Sequence, residues 1–294
     1  MSSEQLRLNL PEIGRENMPP EVLAAAYWST LMRFREERYL IPVEPYERYK
    51  KYHEDYKLRI SSIVDRLLNI PGEPNSEICF CLGDAYQAGN GIKKSRETAQ
   101  RWFTRAAKAG HIKAMVRCGS MALHPDYPEE HKAAIKWYRK AAKLGSSSAM
   151  VFLGFAYREG NGVTHDARKS VRWFLKAVEA GDTHSMVHVG RIYAGYLDSH
   201  TEALRWFHHA ADAGHKDSFV ELAILYDQRG TPVYNPKEAV RWYKIVLERY
   251  TGNRTRALLA LSQHCRTGSG TEKDLKMAHD WLRKLFFEPH CPSE

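Results

Sequence analysis

The chain has no apolar run long enough to cross a bilayer. Its longest uncharged stretches, such as Val22 to Met32, are too short and carry Ser and Thr. The first twenty residues scatter Glu4, Arg7, Glu12, Arg15 and Glu16 among Pro and Asn, without the basic start, apolar run and cleavage site of a secretory leader. These absences predict no transmembrane helix and a cytoplasmic protein. Cysteine is also scarce. Cys79, Cys81, Cys118, Cys265 and Cys291 are five in number and irregularly placed, which argues against a disulfide framework and for free thiols. Cys79 and Cys81 are two apart on an expected helix and point to different sides, a poor arrangement for one metal ion.

Chemical motifs are missing too. None of the fourteen histidines falls in a His-Glu-x-x-His pattern, and neither His208-His209 nor His53-Glu54 has the second half of a site. A Gly-x-Ser-x-Gly elbow and a Gly-x-x-x-x-Gly-Lys loop are both lacking. The Gly89/Gly91 and Gly160/Gly162 pairs follow no strand and read as turns, not phosphate cradles. Asn253-Arg254-Thr255 fits a glycosylation sequon that has no meaning without secretion, and Pro292 and Glu294 around the terminal Cys291 make a poor prenylation signal. No catalytic residue, metal or cofactor is therefore expected. A catalytic pair assembled from distant residues is not legible in one sequence.

What the chain does have is tryptophan at regular intervals. Trp102, Trp137, Trp173, Trp206, Trp242 and Trp281 are separated by 35, 36, 33, 36 and 39 residues, the period of a repeat array. With 43% hydrophobic and 27% charged residues the composition is that of a folded protein, and a stack of repeats adds core with each unit over its 294 residues. Charge is unevenly placed. Residues 1 to 76 hold 11 Lys and Arg against 12 Asp and Glu, whereas residues 77 to 294 hold 33 against 23, so the net +9 belongs to the repeats.

Each tryptophan is preceded by 16 to 19 residues by a small residue: Gly83, Gly119, Gly154, Gly190, Ala223 or Ser262. An aromatic often follows that residue by three, as Tyr86, Tyr157, Tyr193 and Tyr226 do, which is helical spacing, and the small residue lets a second helix approach. Ala88-Gly89-Asn90-Gly91 and Glu159-Gly160-Asn161-Gly162 then end the helix with residues that accept positive φ. A second helix carries Trp-aromatic-x-x-Ala, and Gly110, Gly145, Gly181 and Gly214 end it eight residues past the tryptophan. One hairpin cannot enclose these groups. Stacked neighbours can, so the tryptophans are expected to be buried scaffold.

The pattern Leu-Gly-x-x-Tyr-x-x-Gly-x-Gly-Val followed by Trp-Phe-x-x-Ala-x-x-x-Gly, fullest from Leu153 to Gly181, resembles the Sel-one-like repeat, a relative of the tetratricopeptide repeat. The resemblance implies an all-α, right-handed superhelical solenoid of helix-turn-helix repeats over residues 77 to 288, and a non-enzymatic adaptor that brings proteins together. Some bacterial members act as immunity proteins that seal a toxin, which is a narrower version of the same role. Several units depart from the pattern. His124-Pro125-Asp126-Tyr127-Pro128 replaces the glycine turn of the second, Gly195-Tyr196-Leu197-Asp198 shortens that of the fourth, and Tyr250 and Pro289 stand where the last two terminal glycines would be. The paired cysteines of some hydrolytic members are absent.

Residues 1–20 are expected to be flexible, residues 21–76 to form a helical cap and residues 289–294 a tail. In the cap one helix spans about Glu21 to Arg38 and a second runs from Pro45 to about Asn69, where Pro71-Gly72-Glu73-Pro74 stops it. Tyr49, Tyr52, Tyr56, Ile60, Ile63 and Leu67 form one face of that helix, read as core, with docking as the alternative.

Two surfaces are candidates for function. Positions one and four after each small residue lie on one side of the first helices, which line the concave face of such arrays. Asp84, Gln87, Phe155, Arg158, Arg191, Asp227, Gln263 and Arg266 are the proposed partner-binding groove, accompanied by Ser120, Leu123, Ala194 and Ile224. Phe155 between arginines suits an acidic or amphipathic peptide, with Arg158 and Arg191 as carboxylate forks. The second surface is a basic ridge on the second helices: Arg101, Arg105, Lys136, Lys140, Arg172, Lys176, Arg205, Arg241 and Lys284. It is read as a solvated face, and binding of an anionic surface, nucleic acid or membrane, is the alternative. Partner identity and oligomeric state are not readable from these residues.

Overall fold

The computed structural model describes residues 19–37, 46–123, 128–249 and 254–287. Among them are fourteen α-helices, one short 3-10 turn at Pro128–Glu130, and no strand. Helices α1 (Pro20–Glu37) and α2 (Tyr46–Leu68) precede six pairs. These are α3 (Ser76–Ala88) with α4 (Arg96–Lys108), α5 (Ile112–Ala122) with α6 (His131–Lys143), and α7 (Ser147–Glu159) with α8 (Ala167–Glu179). Then follow α9 (Ser185–Gly195) with α10 (His200–Asp212), α11 (Lys216–Asp227) with α12 (Pro236–Arg249), and α13 (Arg254–Thr267) with α14 (Leu275–Phe287). The chain divides within α6 into two compact units, Met1–Ala141 and Ala142–Glu294.

Local chemistry starts the helices. Asn75, Ser95, Ser146 and Asp166 each accept a hydrogen bond from the backbone N–H three residues on, at 2.9, 3.2, 3.2 and 2.9 Å. His111 does the same through Nδ1, 3.1 Å from the Ala114 nitrogen. At the far end of α3, Gly89 lies at φ +78° and returns its N–H to the Ala85 carbonyl at 2.8 Å. The next glycine of that turn, Gly91, lies so near α2 that a Cβ would sit 2.6 Å from the Ser61 backbone. The glycine pair is thus a turn pressed onto the preceding helix.

The packing rule inside a pair differs from the expectation. The six tryptophans are half-buried, while the residue after each of the first five, Phe103, Tyr138, Phe174, Phe207 and Tyr243, is buried. A Cβ on Gly83 would come within 2.5 Å of Phe103, on Gly119 within 2.5 Å of Tyr138, on Gly154 within 2.8 Å of Phe174, and on Gly190 within 2.5 Å of Phe207. The small residue therefore makes room for a ring, not for helix backbone alone. The tryptophan is one position round the helix, and a cation lies over four of the six. Arg105 is 5.7 Å from the Trp102 ring, Lys140 4.9 Å from Trp137, Lys176 4.5 Å from Trp173, and Lys284 4.8 Å from Trp281.

In the N-terminal unit Leu23, Ala24, Tyr27 and Leu31 of α1 and Ile60, Ile63, Val64 and Leu67 of α2 share one core with Ile78, Cys81, Leu82 and Ala85 of α3. Half-buried Tyr56 stacks on Phe34 with centroids 3.8 Å apart. The α2 stripe thus packs inward at these positions. The side chains of Tyr49 and Tyr52 lie outside the described residues, as do residues 1–18, Pro45, the turn from His124 to Tyr127, Tyr250, Asn253 and the tail with Pro289 and Cys291.

Candidate partner-binding surfaces

The eight groove candidates fall in both units. In the N-terminal unit Gln87 is half-buried, and Asp84 accepts a hydrogen bond of 2.8 Å from the hydroxyl of buried Tyr27. Burial, with Asp84 adding to it, pushes that phenol above its ordinary range. The neighbouring Trp28 indole donates to Glu77 at 3.0 Å. Helix α1 thus covers the α3 face at Asp84, which fastens the cap to the first repeat.

The other six candidates lie in the C-terminal unit. Phe155 is half-buried, edge-on to Phe174 at 5.1 Å and to His188 at 4.8 Å, and the Arg158 guanidinium lies 4.7 Å from its ring centre. Arg158 also pairs with Glu159 at 2.6 Å. Arg191 is exposed, and its Nε donates to Glu221 of α11 at 2.8 Å. Asp227 is half-buried and forms an ion pair with His264 at 3.2 Å, whereas Gln263 and Arg266 are exposed. Phe155 touches His188, on which the charges of Arg191 and Arg158 also act, while Asp227, Gln263 and Arg266 lie on α11 and α13. Both arginines already hold a carboxylate of this chain.

Histidine makes part of this surface, and the sequence reading passed over it. His188 lies between Phe155 and Phe174, with His184 at 5.4 Å and His215 a further 5.3 Å from His184. Burial first, then the charges of His184, Arg191 and Arg158, pulls His188 down to about 4. It is neutral at pH 7 and behaves as a polar edge of the aromatic cluster. The His184/His188 spacing of four was visible in the sequence, but its contact with Phe155 was not.

Every ridge residue is exposed. Arg101 pairs with Glu97 at 2.7 Å, Arg105 with Glu73 at 3.6 Å, Arg205 with Glu202 at 3.8 Å and Arg241 with Glu238 at 3.3 Å. Lys140, Lys176 and Lys284 lie over their tryptophans. Seven of the nine cations are therefore engaged within the chain.

Among the described residues no cluster of three or more His, Cys, Asp or Glu could hold a metal ion, and no helix is long and apolar enough to cross a membrane. Cys79, Cys81, Cys118 and Cys265 are buried free thiols. Burial raises all four, Cys118 to about 11, which suppresses the thiolate a nucleophile would need.

The helix pairs and their ring-on-glycine packing define an all-α repeat protein. The Sel1 repeat profile matches residues 79–111, 112–146, 147–182, 194–215, 220–245 and 255–285, and the chain belongs to the Sel1 repeat family. Proteins of this family generally mediate protein–protein interaction as non-catalytic scaffolds. A Sel1 repeat protein from Oxalobacter formigenes is similar in structure, with a TM-score of 0.57 and 26% identity over 78% of this chain and 93% of that one. A protective antigen of uropathogenic Escherichia coli strains shares the fold, with a TM-score of 0.55 and 24% identity over 76% of this chain and 56% of its own. An immunity protein from Pseudomonas aeruginosa aligns more loosely, with a TM-score of 0.41 and 18% identity over 80% of this chain and 84% of that one. No curated protein matches the chain.

Proposed function

We propose that this protein is a non-enzymatic, cytoplasmic scaffold that holds an acidic or amphipathic segment of a partner protein on the first-helix surface of its C-terminal unit. Phe155, Arg158 and Arg191 form the centre of that surface, and Gln263 and Arg266 extend it. Six Sel1 repeats support the general role. The observation that carries the specific reading is the Phe155 ring with a guanidinium 4.7 Å from its centre, beside His188, on which the charges of Arg158 and exposed Arg191 both act. A partner carboxylate would replace Glu159 on Arg158 or join Glu221 on Arg191, while an apolar side chain meets the open part of Phe155. Arg191 engages Glu221 through Nε, which leaves its terminal nitrogens to a second carboxylate.

Nothing favours the anionic-surface reading over this one, because seven of the nine ridge cations are tied to carboxylates or indoles. The Pseudomonas immunity protein is too loose a likeness to bring toxin sealing to this chain. The test is a double Arg158→Glu/Arg191→Glu change with helicity checked by circular dichroism. Partners captured from the native cell by wild-type protein are identified, and one is titrated against both forms. The affinity of the double variant is expected to fall by a factor on the order of a hundred, as for loss of two charge-assisted contacts. An unchanged affinity removes this surface from the proposal.

A further inference from the structure

His264 on α13 is 5% exposed, yet both of its ring nitrogens face acceptors. Nδ1 is 2.7 Å from the backbone carbonyl of Ser269, and Nε2 is 3.2 Å from a carboxylate oxygen of Asp227, at the end of α11. Neither acceptor can donate, so the two contacts are satisfied together only by an imidazolium with a hydrogen on each nitrogen. We infer that the proton on His264 is a latch that ties the turn of the last repeat to the end of α11, and that the last helix pair loosens when this proton leaves.

The turn it holds is tightly seated. Gly268 and Gly270 adopt positive φ, and Gly270 rests against α12 so closely that a Cβ would lie 2.2 Å from the Pro236 carbonyl oxygen. The Tyr234 hydroxyl lies 3.4 Å from the Ser269 hydroxyl, a second tie at the same place. A neutral His264 keeps one hydrogen and must release either Ser269 or Asp227. A cleft of about 250 Å³ beside it, lined by Asp227, Arg229, Gln263 and Thr267, gives the released group access to water.

The groups that face His264 come from several elements. Asp227 comes from α11, Arg229 from the loop after it, and the ring of Tyr243 from α12, with centroids 6.3 Å apart. Arg256 of α13 acts on Tyr243. The turn before α14 supplies the uncharged Ser269 carbonyl, while Lys273 packs on Gly268 and Asp274 caps α14. The hydrogen bond to Asp227 raises the imidazole above its ordinary 6.5, burial opposes it, and the Ser269 carbonyl and the Asp227 charge add to the rise. The latch is therefore complete below pH 6.5 and is lost as pH rises through the folded-state value.

The experiment is a histidine titration by NMR on the full chain, with His264 assigned through its backbone, in the folded protein and in urea. His264 is expected to titrate at higher pH in the folded protein, to fall toward the urea value in Asp227→Asn, and to show line broadening in residues 266–274 as it deprotonates. A folded-state titration at or below that in urea, or one unmoved by Asp227→Asn, overturns the latch. Should Asp227→Asn fail to fold, the wild-type comparison with urea decides alone. Thermal midpoints give a second readout: wild type should lose stability as pH rises above 6.5 relative to His264→Gln, and parallel curves would contradict the proposal.

Discussion

A Cβ on Gly154 would lie 2.8 Å from the Phe174 ring, and that ring is fully buried. Gly154→Ala is expected to lower unfolding free energy by about 1–3 kcal/mol, the usual range for overpacking, although alanine favours a helix by roughly 1 kcal/mol over glycine. Adding Phe174→Leu should recover part of that loss. Denaturant unfolding of the three variants reads the result, and a Gly154→Ala protein as stable as wild type would contradict ring-on-glycine packing. His188 supplies a second test at this scale. Its folded-state value is depressed to about 4, so the unfolded chain takes up this proton first as pH falls below 6.5, and stability drops between there and about 4. Replacing His188 with Gln should flatten that part of a thermal-midpoint curve against pH, and an unchanged slope would assign the acid loss elsewhere.

The same residues show what was legible. The position of each small residue and its distance from the tryptophan are plain in the sequence, and they mark where two helices touch. Which aromatic of Trp173-Phe174 enters the core depends on a rotation of one residue about the helix, and composition favours the larger indole. The buried choice goes to Phe174 because a six-membered ring fits over a missing Cβ, whereas Trp173 stays half-buried under Lys176. His264 and Asp227 were not paired by reading because they are on different helices, and only the packing of α11 near α13 brings them together.

At the scale of elements, helix limits followed from capping chemistry. The second cap helix was expected from Pro45 to about Asn69 and is Tyr46–Leu68, and the first was expected to begin at Glu21 and begins at Pro20. Proline and the Pro-Gly stop are local signals, so they survive without tertiary knowledge. The cation over four of the indoles is an element-level feature too, since a Trp and a Lys or Arg three apart share one side of a helix. Lys176→Ala should cost about 0.5–1 kcal/mol, the range for an exposed cation–π contact, and a double-mutant cycle with Trp173→Leu isolates the coupling. A coupling of zero would return Lys176 to the role of a solvated charge. The groove was legible only as a set of faces. Asp84 could not be seen as held by Tyr27, because that contact joins residues 57 apart.

For the molecule as a whole, charge alone is a poor guide to the partner. The +9 net charge suggests anionic ligands, but the exposed ridge is largely internally paired, and surface pairs of this kind contribute little and are screened by salt. Reversing Arg101, Lys136 and Arg172 to Glu is therefore expected to leave affinity for the partner within about twofold, since all three residues lie on second helices. A large loss in that triple variant, measured by titration calorimetry, would shift the function to the ridge. The family relation supplies interaction as the general role, and half-buried Arg158 on Phe155 with exposed Arg191 supplies the proposed place.

Hydrogen exchange with and without a captured partner separates the first-helix surface from the ridge. Exchange is expected to slow in α7, α9, α11 and α13 when the partner is bound, centred on Phe155, Arg158 and Arg191, with α8, α10 and α12 unchanged. Protection confined to the second helices would contradict the first-helix placement.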